Sequence, residues 1–142
     1  MDQRDDLGDR TPGDWLATVA SGQDWGFPTC YGQGGAACAA SPAPLAVLDR
    51  HAAAAGVAIV DGSLGPSIGH AAVVAEWSLG RLVLVPLRTG SASAAISLAG
   101  SPSVLITGIG SPVAVATGPD GGLFAGDWAT GTIYRITGSS GS

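Results

Sequence analysis

The chain has 142 residues, of which 46% are hydrophobic and 12% charged, with a formal net charge of −5. That length suits one domain with a core, and the share of charge is about half the usual one. Six arginines, no lysine and an acidic balance exclude a protein that grips nucleic acid by neutralising phosphates, and no run of about 18 strongly apolar residues offers a membrane span.

Residues 1–13 are polar and end in Pro12-Gly13, so they read as an irregular acidic arm; six of the eleven acids lie within the first 24 residues. No basic segment followed by an apolar one opens the sequence, as a secretory leader would. Residues 14–50 read as a loop-rich segment. In it, residues 14–20 suit a short strand or a turn of helix anchored by Trp15, Leu16 and Val19. An aromatic turn follows at residues 22–28, and Leu45-Ala46-Val47-Leu48 is a short extended segment. Cys30 and Cys38 are too far apart for a C-x-x-C motif, and the glycines between them let the chain fold back. A local disulfide is expected, and with it an oxidising compartment, periplasmic or secreted. Two free thiols are the competing reading.

Ala52 to Ala55 is helical on propensity alone. From there the pattern turns to short alternating runs. Residues 51–107 are expected to form one blade of four strands, at 56–61, 71–77, 81–87 and 103–107, with an extra edge strand at 94–98. Residues 108–137 give three more strands, at 112–117, 122–127 and 132–137, with a Pro-Asp-Gly turn at residues 119–121. Residues 138–142, Gly-Ser-Ser-Gly-Ser, read as a flexible tail.

The pattern acid-Trp-x-x-Gly occurs twice, as Glu76-Trp77-Ser78-Leu79-Gly80 and Asp127-Trp128-Ala129-Thr130-Gly131. Each copy sits between two alternating runs, and Gly56 to Val60 matches Pro112 to Ala116 ahead of them. A period near fifty built from short strands is the signature of β-propeller blades. The fold is therefore expected to be all-β: about two four-stranded antiparallel blades, the second lacking a strand, in an incomplete ring. Two blades cannot close a ring, so self-association or a second chain is expected to complete it.

Several residues have both a chemical and a structural reading. His51 and His70 are the only histidines, and either suits a base or ligand; no second ligand lies at metal spacing, so no metal site is expected and rim positions are the plainer reading. Glu76 and Asp127 would either line a channel mouth or fix the following turn by accepting backbone N–H groups. Trp77 and Trp128 would pack between neighbouring blades or offer a stacking platform to a sugar or quinone. Gly65-Pro66-Ser67-Ile68-Gly69 fits G-x-S-x-G, but the run after it reads as a strand, whereas a nucleophilic elbow leads into a helix. Arg81, Arg88 and Arg135 would bind anions or sit solvated at strand ends.

Three stretches resemble one family. Asp14-Trp15-Leu16 with Gly22-Gln23-Asp24-Trp25-Gly26-Phe27-Pro28, the run Ser111 to Phe124, and the run Asp127 to Ile136 are similar to segments of the quinoprotein glucose/sorbosone dehydrogenases. The resemblance covers residues 12 to 137. It implies a six-bladed propeller that holds pyrroloquinoline quinone with calcium above its channel and oxidises an aldose-type sugar by hydride transfer. This chain would be the C-terminal third or so, with the histidine base on absent blades. Ser111 stands where the family carries an arginine facing the cofactor carboxylates. Trp77 and Ser78 lie in the turn Glu76 to Gly80, where the family commonly places a cation or a His-Gly element, and Arg81 is the only cation near it. These four are the candidate cofactor-binding residues. The competing function is a non-catalytic blade module for binding or assembly, in which three copies of the chain would supply six blades.

Overall fold

The computed structural model describes residues 12–32, 34–88 and 96–138. The acidic arm, except its last two residues, and the tail beyond Gly138 lie outside them, as do residues 94–95 of the expected edge strand. The described chain is all-β, with one turn of 3-10 helix at Ala36–Cys38. Its strands are β1 (Trp15–Leu16), β2 (Ala46–Val47), β3 (Ala54–Asp61), β4 (His70–Glu76), β5 (Arg81–Arg88), β6 (Ser97–Leu98), β7 (Ser103–Thr107), β8 (Pro112–Thr117), β9 (Leu123–Asp127) and β10 (Ile133–Ile136).

β3, β4, β5 and β7 form one antiparallel blade, with the short β6 sharing the edge of β5. β8, β9 and β10 form a second blade, three strands wide. The alternating runs become strands because each offers one side chain in two to a neighbour. β4 reads His-Ala-Ala-Val-Val-Ala-Glu, and beyond the half-buried His70 it shows no polar alternation and is buried on both faces. Ala71, Val73 and Ala75 pack with Leu82 and Leu84 towards Val115, Leu123 and Ala125 of the second blade. Ala72 and Val74 pack with Val83, Val85 and Leu87 against Ala46 and Leu48 of the preceding segment. The blade is thus the middle layer of three.

The junction between blades is made by their first strands, β3 and β8. Gly56 permits it. A Cβ there would lie 2.7 Å from the Val113 carbonyl oxygen and 2.8 Å from the Val115 amide nitrogen. Two backbones meet where any side chain would part them.

Some sequence expectations are corrected. Ala52 to Ala55 is not helical. β3 begins at Ala54, because Ala54 pairs with Glu76 and the ladder overrides alanine's helix propensity. Residues 14–20 supply only the two-residue β1, and β4 ends at Glu76. The two first strands also align differently. Ala54 pairs with Glu76 as Pro112 pairs with Asp127, each pair followed by a bulge. Pro112 therefore corresponds to Ala54 and not to Gly56, a slip of two residues that keeps the same face inward. The disulfide joins Cys30 and Cys38 as expected.

Gly56→Ala is expected to destabilise the fold by about 1–3 kcal/mol, because the obstacle is backbone and β8 must shift. Urea denaturation measures this. A neutral or stabilising result would mean that the blades are not in close backbone contact.

Candidate functional site

One end of both blades carries the repeated motif. There the β4–β5 turn (Trp77 to Gly80) and the β9–β10 turn (Trp128 to Thr132) lie beside the links that lead into β3 and β8. Gly80 accepts the Ile109 amide at 3.1 Å, which ties the first blade's turn to the second blade's link. Trp77 and Ser78 donate their amides to the Ala53 and Ala52 carbonyls, as Trp128 donates to Ser111.

The two acids close this arrangement from inside. Asp127 is buried. Its carboxylate accepts the amides of Ser111 at 2.9 Å, Ala129 at 2.9 Å and Gly110 at 3.2 Å, and the Thr130 hydroxyl at 3.0 Å. Burial alone would raise its pKa. The hydrogen bonds from Ser111, Thr130, Ala129 and Gly110 outweigh it and hold the pKa below the ordinary aspartate value. Asp127 thus fixes its turn, as one sequence reading held. Glu76 is fully buried and behaves differently. Its longer side chain reaches Arg81 Nε at 2.6 Å, and the Asp49 amide lies 3.5 Å away.

Arg81 also donates to the Asp49 carboxylate, so two acids share one guanidinium. Its pKa is raised: the Glu76 hydrogen bond leads, partial burial opposes it, and the charges of Glu76 and Asp49 add to the rise. This corrects the expectation of a solvated strand end. Arg135 does lie at the surface, paired with Asp120, and Arg88 donates to the Leu98 carbonyl at 3.0 Å.

The sequence-selected residues therefore gather on one end of two adjacent blades. Trp77, Ser78 and Arg81 come from the β4–β5 turn and its exit, and Ser111 comes from the start of β8. The Ser78 hydroxyl donates to the His51 carbonyl. His51 and Ala53 sit in the left-handed backbone region at φ 53° and 51°, held by the three bonds from Trp77 and Ser78. His70 is at the opposite end of the β3–β4 ladder, beside Asp61, so the histidines do not meet. Trp77 is 37% and Trp128 72% exposed. Neither is the packed plate that one reading expected, because both stand on turns outside the sheets. The G-x-S-x-G stretch is the turn between antiparallel β3 and β4, which rules out a nucleophilic elbow.

Asp14 escaped the sequence reading as a structural acid. It is buried, and its carboxylate accepts the Ala54 amide at 2.7 Å. Its signal was an acid-Trp pair like the other two, although this one stands just ahead of β1 and not at the end of a second strand. Near it, Trp15 and Trp25 stack with ring centroids 4.9 Å apart. A cavity of about 590 Å³ opens between these residues and the first blade.

No protein-family model matches the chain, and no curated protein matches it. A solved structure, that of a glucose dehydrogenase, is similar with a TM-score of 0.71 and 20% sequence identity, over 90% of this chain and 39% of that one. The chain thus shares the fold of about two fifths of that protein's length: propeller blades in an incomplete ring.

Two outcomes are expected. Arg81→Met leaves the Glu76 carboxylate buried without its cation and costs about 3–5 kcal/mol. The double substitution Glu76→Gln with Arg81→Met recovers part of that in urea denaturation. Asp127 stabilises the fold fully above the ordinary aspartate pKa of about 3.9, and this stabilisation disappears as pH falls through the lowered folded value. Asp127→Asn is therefore less stable at neutral pH and loses less stability on acidification, which thermal midpoints measured across pH 2–7 resolve.

Proposed function

We propose that the chain is a bracing sector of a sugar-dehydrogenase-type propeller, which frames the mouth of the ring without holding its redox group. One observation carries this reading: the polar groups gathered at the repeated end are spent on each other. A quinone bearing several carboxylates needs unspent donors, above all cations, in a desolvated cleft. Arg81 is shared by Glu76 and Asp49. The Ser78 amide and hydroxyl go to Ala52 and His51, and the Ser111 amide goes to Asp127. Glu76 and Asp127 add negative charge behind them. What remains is the Ser111 hydroxyl and the Trp77 ring, and neither is cationic. Trp77, Ser78, Arg81 and Ser111 do not fit an anionic quinone as its main cradle.

The residues suit a frame instead. Buried carboxylates hold the links at the start of each first strand, so the mouth keeps its shape whatever occupies the channel. The oxidised Cys30–Cys38 pair suits an oxidising compartment, and we place the protein outside the cytoplasm.

A non-catalytic assembly module is the second reading, favoured by the exposed apolar groups at both ends of the stack. Val57 and Ile59 are exposed at one end, and Trp128 and Ile133 at the other. Closure by three identical copies fits poorly. β10 is a third strand, and β1, which pairs with β2 as β5 pairs with β7, also has a third-strand position, so the two would compete at each junction. A different partner fits better.

Mixed with pyrroloquinoline quinone, calcium, an aldose and a dye acceptor, the chain is expected to give no turnover above buffer. Dye reduction that disappears on replacing His51 or His70 by alanine would contradict the reading.

A further inference from the structure

We propose that the cavity between residues 14–44 and the first blade is the seat of a two-stranded β-ribbon supplied by polypeptide outside residues 12–138, the first and second strands of a preceding blade. The proposal rests on the reading of the chain as a propeller sector and is independent of its redox chemistry.

The chain's own repeat specifies the occupant. β1 and β2 pair as β5 and β7 do, with Trp15 opposite Val47 as Arg81 is opposite Thr107. The closing bond recurs too. The Leu48 amide donates to the Asp14 carbonyl just ahead of β1, as the Ile109 amide donates to the Gly80 carbonyl just ahead of β5. Each pair is joined by a long connection, and each is followed by a link into the next first strand. β1 and β2 are therefore the third and fourth strands of a blade. β5 carries β4 on its other edge. Among the described residues, β1 pairs with β2 alone.

The first strands show the same gap. Val57 pairs with Val74 two residues before Glu76, and Val115 pairs with Ala125 two residues before Asp127, so Val57 and Val115 hold the same register position. Val115 is covered by β3 and is 9% exposed, whereas Val57 is 50% exposed and Ile59 46%. The difference is the presence of a preceding first strand. The cavity fills this space, with Trp15, Leu16, Ala54, Val57 and Val74 on its walls. Among the described residues Asp14 is its only acid, and that carboxylate is already held by the Ala54 amide. The occupant must therefore be apolar on one face and offer backbone to the edge of β1, the requirements of an added strand. The indole N–H of Trp25, also on the wall, is buried without an acceptor among the described residues. Residues 1–11, rich in aspartate and arginine, have the wrong composition for such a ribbon.

The test supplies the missing strands from the chain itself. A copy of residues 54–79 is placed directly ahead of Asp14, in place of residues 1–13. The graft is expected to lose most binding of an apolar fluorescent dye, to shift tryptophan emission to the blue, and to melt at higher temperature. Val57→Glu in the resident β3 should cancel these gains while leaving the ungrafted chain's midpoint unchanged. A folded graft that binds dye like the parent overturns the proposal, as does a Val57→Glu parent that unfolds, since Val57 would then already be covered. If the graft does not fold, the peptide of residues 54–79 added to the parent gives the same readout: saturable dye displacement supports the ribbon, and none overturns it. Saturable binding of glucose in the cavity, unaffected by the peptide, would assign it to a small molecule and overturn the proposal too.

Discussion

A carboxylate sealed inside the end of each blade is the contact on which the rest depends. Asp127 gathers the amides of Gly110 and Ser111 from the link, and the Ala129 amide and Thr130 hydroxyl of its own turn. Glu76 does the equivalent through Arg81 and Asp49. Asp14 reaches forward to Ala54, the first residue of the next blade. A blade has no covalent reason to meet its neighbour at a fixed angle. These acids set where each first strand begins, and Gly56 then lets β3 and β8 close to backbone contact. The alanines and valines of β4, with the leucines and valines of β5, fill the layers that result.

The same economy limits the chemistry. An ion pair or a buried acid bound by several donors is stable because its valences are satisfied. A group in that state has little left for a ligand. The repeated end of this chain thus gains rigidity. Exposed apolar groups lie on the outward faces of the stack, Val57 and Ile59 on one and Trp128 and Ile133 on the other. That division is what the proposed bracing role requires.

Much of the fold was legible because the acid-Trp-x-x-Gly repeat marks the hairpin at a fixed place in each blade, and the strands beside it alternate cleanly. Three features were not. The alignment of the first strands slipped by two residues because Gly56-Val57-Ala58 and Pro112-Val113-Ala114 share small apolar composition, while the true register is set by bulges that leave no sequence mark. The half-blade at β1 and β2 was hidden because each strand is two residues long, too short for a period to show. Of the four candidate cofactor residues, adjacency was readable from the motif, but the engagement of Arg81 was not, since Asp49 lies 32 positions away in sequence. The packed reading of Trp77 and Trp128 followed from ring size alone, whereas both rings stand exposed on turns, as the platform reading would have them.

Amide hydrogen exchange, resolved by residue, tests the central claim most directly. If buried carboxylates hold the links, the amides of Ala54, Gly110 and Ser111 should exchange as slowly as those of the central strands β4 and β5, although Gly110 and Ser111 lie outside every strand. Exchange of these amides at the rate of open loops would contradict the account.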